Sequence, residues 1–126
     1  APRHQQIEWG KQMTRRDATP EMILALFERE GHRFEPRKLA TAAHRIGKIG
    51  GHRVRSDPRL ARLAETCGQR VGAFNAQELA NTAWGFAKTS IAVPQLFEAI
   101  AGEAQERICD FNAQDMANTA WAFASV

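Results

Sequence analysis

The sequence predicts an all-α fold, a right-handed α-solenoid of about three helical hairpins of roughly 38 residues each. The first observation behind this prediction is a repeated motif, identical at 11 of 14 positions between residues 74–87 and 111–124. The second is a set of prolines, spaced 38 and 36 residues apart, that open apolar helix-like segments at Pro20, Pro58 and Pro94. Because one hairpin cannot cover its own apolar faces, units of this kind are expected to stack.

Residues 1–19 form the first predicted region, an N-terminal arm or cap ahead of the array. Their apolar periodicity is weak and runs through Ile7, Trp9 and Met13. The array spans residues 20–126 and opens with the segment "TPEMILALFERE". Since the chain lacks an initiator Met and stops inside a periodic segment, we expect a trimmed piece of a longer protein, with the array cut short at its C-terminal end.

Each copy of the repeated motif carries the signals of a helix start, and the helices it opens are called motif helices below. Asn75 is the predicted N-cap, and Glu78 three residues later completes a capping box. Phe74 before the cap and Leu79 after it form a hydrophobic staple. The second copy repeats this arrangement with Phe111, Asn112, Asp115 and Met116.

A third, degenerate copy lies upstream in "FEPRKLATAAHRIGK". Phe34 and Leu39 keep the staple, and Pro36 takes the first helical position, where its missing N–H costs nothing. Beyond each start, apolar residues recur at helical spacing around small alanines, which predicts a face that packs on neighbouring helices. The helices that begin at Pro20, Pro58 and Pro94 alternate with the motif helices and are called partner helices.

Composition excludes several classes of protein. No apolar run reaches the roughly 18 residues of a membrane span, so no membrane insertion by this chain is expected. Cys67 and Cys109 stand apart, with no CxxC pair and no clustered His, which predicts free thiols and no metal site. No nucleophile with a base and no carboxylate pair lies outside the repeat pattern. We therefore expect neither catalysis nor a cofactor.

The net charge of +3 is unevenly divided along the chain. Residues 1–72 hold 15 Lys and Arg against 8 Asp and Glu, whereas residues 73–126 hold 2 against 6. This asymmetry favours a polyanion-facing surface on the first half, although basic surfaces also occur on proteins without such a partner.

The motif "NAQ-[DE]-[LM]-ANTAW-x-FA", set in hairpins of about 38 residues, resembles the octotricopeptide-repeat proteins and the related helical arrays that precede RAP domains in organellar proteins. The resemblance covers about residues 20–126 and is carried by the two complete motifs. Residues 34–48 depart from it, because His44 stands in the Trp position and Arg37-Lys38 replace Gln-Glu. No activity of a RAP domain is carried over, since none lies within these residues.

This resemblance implies an RNA-binding protein of a mitochondrion or plastid. The implied roles are stabilisation, processing or translation of transcripts, or ribonucleoprotein assembly. The implied partner is single-stranded or structured RNA, together with proteins of an organellar ribonucleoprotein or membrane complex. An alternative stays open: a protein–protein scaffold or a structural subunit of a large organellar complex, such as a ribosome or respiratory complex.

Under this interpretation the motif helices line the concave surface, and their polar arc would meet RNA. Amides can pair with base edges, while cations contact phosphates. The predicted RNA-binding residues on this arc are Arg37, Thr41, Arg45, Lys48, Gln77, Asn81, Lys88, Gln114 and Asn118.

Structural alternatives accompany these assignments. Asn81 and Asn118 could form a buried amide ladder between repeats, and the two glutamines could be simply solvated. Trp84 and Trp121, at the edge of the apolar face, are expected to pack in the core, with base stacking as the alternative. His44 in the Trp position is expected to be packed or partly solvated.

The loop "IGKIGGHRVR" combines glycines with cations and invites comparison with phosphate-binding loops. It matches no P-loop pattern and lacks a strand before it. A helix end followed by a basic loop is the preferred interpretation. Arg53 and Arg55 on this loop are nevertheless predicted to contact an RNA backbone.

Overall fold

The computed structural model describes residues 2–126, and this part of the chain is all-helical and contains no strand. The all-α prediction is therefore confirmed. Short 3-10 turns follow several of the helices. The seven α-helices are α1 (Arg3–Thr14), α2 (Pro20–Glu30), α3 (Pro36–Lys48), α4 (Pro58–Arg70), α5 (Ala76–Thr89), α6 (Pro94–Glu106) and α7 (Ala113–Ser125).

The two complete motif helices, α5 and α7, begin as their sequences predict. The Asn75 side chain accepts a hydrogen bond from the Glu78 N–H at 2.8 Å, and the Glu78 carboxylate accepts one from the Asn75 N–H at 2.9 Å. Asn112 and Asp115 make the same pair at 2.7 and 3.2 Å. Both predicted capping boxes are confirmed, because they need only residues within one turn.

The partner helices α2, α4 and α6 begin at Pro20, Pro58 and Pro94, as predicted. Proline suits the first helical position because its missing N–H would have no intrahelical acceptor there. Thr19 and Asp57 add side-chain caps to the first two of these helices, by accepting from backbone N–H groups.

The helices pack in two rows. The motif helices contact one another in chain order, α3 against α5 and α5 against α7, and α1 contacts α3 at the start of this row. The partner helices contact in the same order, α2 against α4 and α4 against α6. The apolar core lies between the rows and includes Leu24, Leu39, Leu63, Leu79 and Ile100, all fully buried.

The closest approach within the motif row is made where α3 crosses α5. A Cβ atom added to Gly85 would overlap the backbone of Ala43, and one added to Gly47 would lie 2.6 Å from the Gly85 carbonyl oxygen. Absence of both side chains allows the two backbones to touch, so α3 and α5 form the tightest pair of the row.

The first nineteen residues, predicted as an arm or cap, contain helix α1, which covers the open side of α3. Trp9 and Met13 of α1 are buried, at 3% and 1% exposure. The Gln6 amide donates to the Arg33 carbonyl oxygen at 2.8 Å and accepts from the Glu35 N–H at 3.1 Å. These contacts join α1 to the turn that precedes α3.

Candidate nucleic-acid interface

The solvent-facing side of the motif helices carries a row of aromatic rings, called here the aromatic ladder: His44 on α3, Trp84 on α5 and Trp121 on α7. The His44 and Trp84 ring centroids lie 5.0 Å apart, and those of Trp84 and Trp121 lie 6.3 Å apart. The three residues occupy the same position of the motif in its three copies. Corresponding side chains of successive motif helices therefore lie next to one another on one surface.

The expectation that both motif tryptophans pack in the core is wrong for Trp121, which is 43% exposed. Trp84 is half-buried, whereas Trp9 of α1 is buried at 3% exposure. Two causes explain the difference. The motif Trp stands at the edge of the apolar arc, and Trp121 has a neighbouring motif helix on one side only.

The amides beside the ladder have no partner within the described residues. Gln77 and Gln114 are exposed, and Asn81 and Asn118 are half-buried. None of the four side chains forms a hydrogen bond to another residue between 2 and 126, so the two asparagines do not form the hydrogen-bonded ladder that was the alternative for them. Their donors and acceptors face solvent or remain available to a ligand.

Three predicted cations, Arg37, Lys48 and Lys88, are exposed and form no ion pair with the described residues. Lys88 extends over the ladder, with Nζ 5.6 Å from the Trp84 ring centroid and 5.5 Å from that of Trp121. Thr41 uses its hydroxyl to donate to the Arg37 carbonyl oxygen at 2.8 Å. The three exposed cations therefore add positive charge to the solvent-facing surface of α3 and α5.

Arg45 has a different setting from the other predicted cations. Its Nε donates to the Met13 carbonyl oxygen at 3.1 Å, and its Nη2 donates to that of Arg15 at 3.3 Å. These bonds hold the C-terminal end of α1 against α3. Arg45 still contributes positive charge to the face, but part of its donor capacity is used inside the protein.

The loop after α3 is a helix end followed by a short basic 3-10 turn, Gly51–Val54, as preferred from the sequence. Gly50, with φ of 110°, makes the left-handed turn that ends the helix. Gly47 and Gly51 serve packing, since a Cβ on either would collide with neighbouring atoms. Arg53 pairs with Glu21 of α2 at 3.4 Å, while Arg55 is exposed without an ion pair to residues 2–126.

Electrostatics on this face favour a neutral imidazole at His44. Partial burial lowers its pKa first, and the charges of Lys48 and Arg45 lower it further. Burial and the neighbouring Arg37 likewise lower the pKa of the Lys38 ammonium. Burial is thus the main cause at both side chains, and the neighbouring cations add to it.

Other chemistry is sparse in the described residues. Between residues 2 and 126, no group of three or more His, Cys, Asp or Glu side chains is placed to hold a metal ion. None of the helices in this range combines the length and the apolar character that crossing a membrane requires. Both cysteines are free; Cys67 is fully buried, which raises the pKa of its thiol to about 12, and Cys109 is exposed.

Sequence reasoning placed the amides and cations but did not include the three ladder residues among the site. A signal for them was present. Each ladder residue follows a predicted RNA-binding residue by three positions: His44 follows Thr41, Trp84 follows Asn81 and Trp121 follows Asn118. Residues three apart share a helix face.

Comparison of the chain with protein-family models, with curated proteins and with solved structures found no match.

Proposed function

We propose that this chain is part of a right-handed α-solenoid that binds RNA in a mitochondrion or plastid through the face of its motif helices. The solenoid is supported by the two helix rows, each of which repeats the same contacts in chain order. In this arrangement the motif helices line the concave side. The chain acts as a binding module without catalysis and without a cofactor, in RNA stabilisation, processing, translation or ribonucleoprotein assembly.

The single observation that carries the proposal is the in-register row of His44, Trp84 and Trp121, flanked by cations and amides without protein partners. When equivalent side chains of successive helices lie in a row, each can contact a successive unit of a linear polymer. Unpaired cations supply affinity for phosphates, and unsatisfied amides can pair with base edges.

Acidic side chains do not oppose this use of the face. Within α3, α5 and α7 the only acidic residues are Glu78 and Asp115. Both are engaged in capping boxes at the N-terminal ends of their helices. The excess of acidic over basic residues in residues 73–126 therefore does not produce a negative surface beside the ladder.

The proposal is tested by fluorescence anisotropy with a labelled single-stranded RNA over a range of salt concentrations. Affinity should fall as salt rises, with a slope of roughly −0.7 per phosphate contact in a log–log plot. The double variant Lys48→Glu, Lys88→Glu should bind about tenfold or more weakly and show a shallower slope, because phosphate contacts are lost.

A matched control reverses two cations of the partner helices, Arg29 on α2 and Arg70 on α4. Neither forms an ion pair with the described residues, and their reversal changes the net charge by the same amount. This control should retain nearly all of the affinity. Equal losses in both double variants would indicate unspecific attraction, and absence of salt-sensitive binding in folded protein would overturn the proposal.

A second candidate is a scaffold or structural subunit of a large organellar complex, in which the face of the motif helices would contact protein rather than RNA. Stable association with protein and no binding of RNA would favour this candidate.

A further inference from the structure

We propose that the groove between the partner helices α4 and α6 is a docking site for a short segment of another protein. The segment places an apolar side chain in the groove and a Lys or Arg side chain at its rim. The groove has a volume of about 540 Å³ and is open to solvent. It belongs to the row of partner helices, so the inference does not depend on RNA binding by the motif helices.

Both walls of the groove are helices that are held in place by other helices. α4 and α6 contact each other, and they pack on the motif helices α3 and α5 respectively. Ala64 of α4 and Leu96 of α6 form the floor, each at 3% exposure. Ala61 and Ala99 stand at the mouth, where Ala61 is exposed and Ala99 half-buried. The groove is therefore an apolar depression between two fixed walls.

The preceding interval of the same row, between α2 and α4, is bridged by an ion pair. Arg62 of α4 donates to the Glu28 carboxylate of α2 at 2.9 Å. Measured from the phenylalanine that follows each partner helix, Gly68 is the counterpart of Glu28, and Ala99 is the counterpart of Arg62. The bridge of the first interval is thus replaced in the second by two residues with almost no side chain, which leaves the groove unfilled.

The small residues of the groove are not explained by close packing of the helices. A Cβ atom added to Gly68 would lie 3.9 Å from Cδ1 of Leu96, an ordinary van der Waals contact. Gly85 of the motif row differs, because a Cβ atom there would overlap backbone. Space therefore remains between α4 and α6 for an apolar side chain from outside, and its burial would remove apolar surface from water on both molecules.

Charge at the rim selects a basic guest. Glu65 of α4 is exposed and forms no ion pair with residues 2–126. It is the only charged side chain among the described residues that line the groove. Glu103, farther along α6, is already paired with Arg107 at 3.7 Å. A Lys or Arg of the guest would therefore meet an uncompensated carboxylate, whereas the phosphates of RNA would be repelled.

The shape and the polar groups of the groove favour a peptide segment. Its α4 wall extends from Ala61 to Gln69, about 12 Å along a helix. Gln69 and Gln95 lie on opposite walls, and both are exposed without a hydrogen bond to another described residue. Each amide offers donors and an acceptor that match peptide N–H and C=O groups. A segment that crosses the groove can bond to both amides while its apolar side chain points to the floor.

The probe that tests the inference is a phage-displayed library of random twelve-residue peptides, selected on the immobilised protein. Enriched peptides should combine a large apolar residue with a nearby Lys or Arg. A labelled synthetic copy of the most enriched peptide is then titrated by fluorescence anisotropy. Failure to enrich any peptide, or enrichment of acidic peptides, would overturn the inference.

The double variant Gly68→Glu, Ala99→Arg introduces the ion pair of the α2–α4 interval at the equivalent place, and it leaves the net charge unchanged. By closing the groove it should weaken peptide binding by about tenfold or more. Glu65→Gln removes the charge at the rim and should weaken binding by about two- to fivefold, the range of an exposed ion pair. The control Glu98→Gln removes an exposed carboxylate of α6 that does not line the groove, and should bind as the wild type does.

Circular dichroism melts check that the variants fold; Ala61→Leu, at an exposed position of the mouth, gives the same test if the double variant does not. Equal peptide binding by the wild type and the variant with the closed groove would overturn the inference. Light scattering that shows a dimer only when the groove is open would assign it to a second copy of this chain, which would also overturn it. RNA affinity should be the same in both proteins, and its loss on closing the groove would assign the groove to the RNA surface instead.

Discussion

Helices α5 and α7 have nearly the same sequence and very different surroundings. Leu79 on α5 is fully buried, while Met116 at the same position of α7 is 45% exposed. Phe86 is buried at 1% exposure, whereas its counterpart Phe123 is half-buried. The cause is position in the row: α5 lies between α3 and α7, and α7 contacts one motif helix only.

The caps of the two helices, by contrast, are the same. Asn75 with Glu78 and Asn112 with Asp115 form matching pairs of hydrogen bonds. A cap is made by residues three positions apart, so its geometry does not depend on neighbouring helices. The comparison separates what a motif specifies locally from what the rest of the fold adds to it.

Leu79 and Met116 occupy the same position in the two motif copies, and the largest expected effect comes from shortening Leu79, the buried one. Leu79→Ala should lower the free energy of unfolding by about 2–5 kcal/mol, because it removes buried methyl groups and leaves a cavity. Met116→Ala should cost less than about 1 kcal/mol, since an exposed side chain loses little packing. Urea denaturation of the two variants measures the difference, and similar losses would contradict the one-sided position of α7.

A smaller effect is expected where α3 crosses α5. Gly85→Ala should lower stability by about 1–3 kcal/mol, because the new methyl group overlaps the backbone of Ala43 and forces the helices apart. The α7 counterpart, Ala122, is fully buried against the row and already carries that methyl. Its replacement by Gly should cost about 1 kcal/mol through lost helix propensity.

The sign of the Gly85 effect is the informative part. In an ordinary helix, replacing Gly by Ala stabilises by up to about 1 kcal/mol. A thermal melt that showed Gly85→Ala to be more stable than the wild type would mean that α3 and α5 do not approach as closely as described.

The smallest expected effect extends the comparison to the third copy, where His44 replaces the motif Trp. Its pKa is lowered by burial, Lys48 and Arg45, so the folded state favours the neutral ring. The resulting stability is complete above the unfolded value of 6.5 and is lost as pH falls below it. The pH dependence between 7.5 and 5.5 should therefore be weaker in His44→Phe, which keeps a ring and cannot titrate.

Thermal melts of wild type and His44→Phe at these two pH values provide the measurement. Asp57 has a pKa lowered mainly by its hydrogen bond with Arg59, and its contribution is lost only below its ordinary value of 3.8. Asp57 therefore does not contribute to the change in stability between pH 7.5 and 5.5. An unchanged pH dependence in the variant would show that His44 is as solvated in the folded state as in the unfolded chain.

Much of the fold and part of the candidate site could be predicted because their signals are local. The caps at Asn75 and Asn112 and the starts at Pro58 and Pro94 were read from residues within one turn. The exposed amides and the cations Lys48 and Lys88 followed from helical periodicity. The engagement of Arg45 with Met13 and Arg15 could not be predicted, since nothing in the sequence shows that α1 lies against α3.

The sequence by itself determined where helices begin, which face of each is apolar, and that one motif recurs. Tertiary structure alone decided that His44, Trp84 and Trp121 meet on one surface and that Trp121 stays exposed while Leu79 is buried. The physical reason is that capping and periodicity depend on hydrogen bonds and spacing within a single helix. Burial depends on which other helices lie alongside, and two nearly identical motifs acquire different surfaces when only one of them has neighbours on both sides.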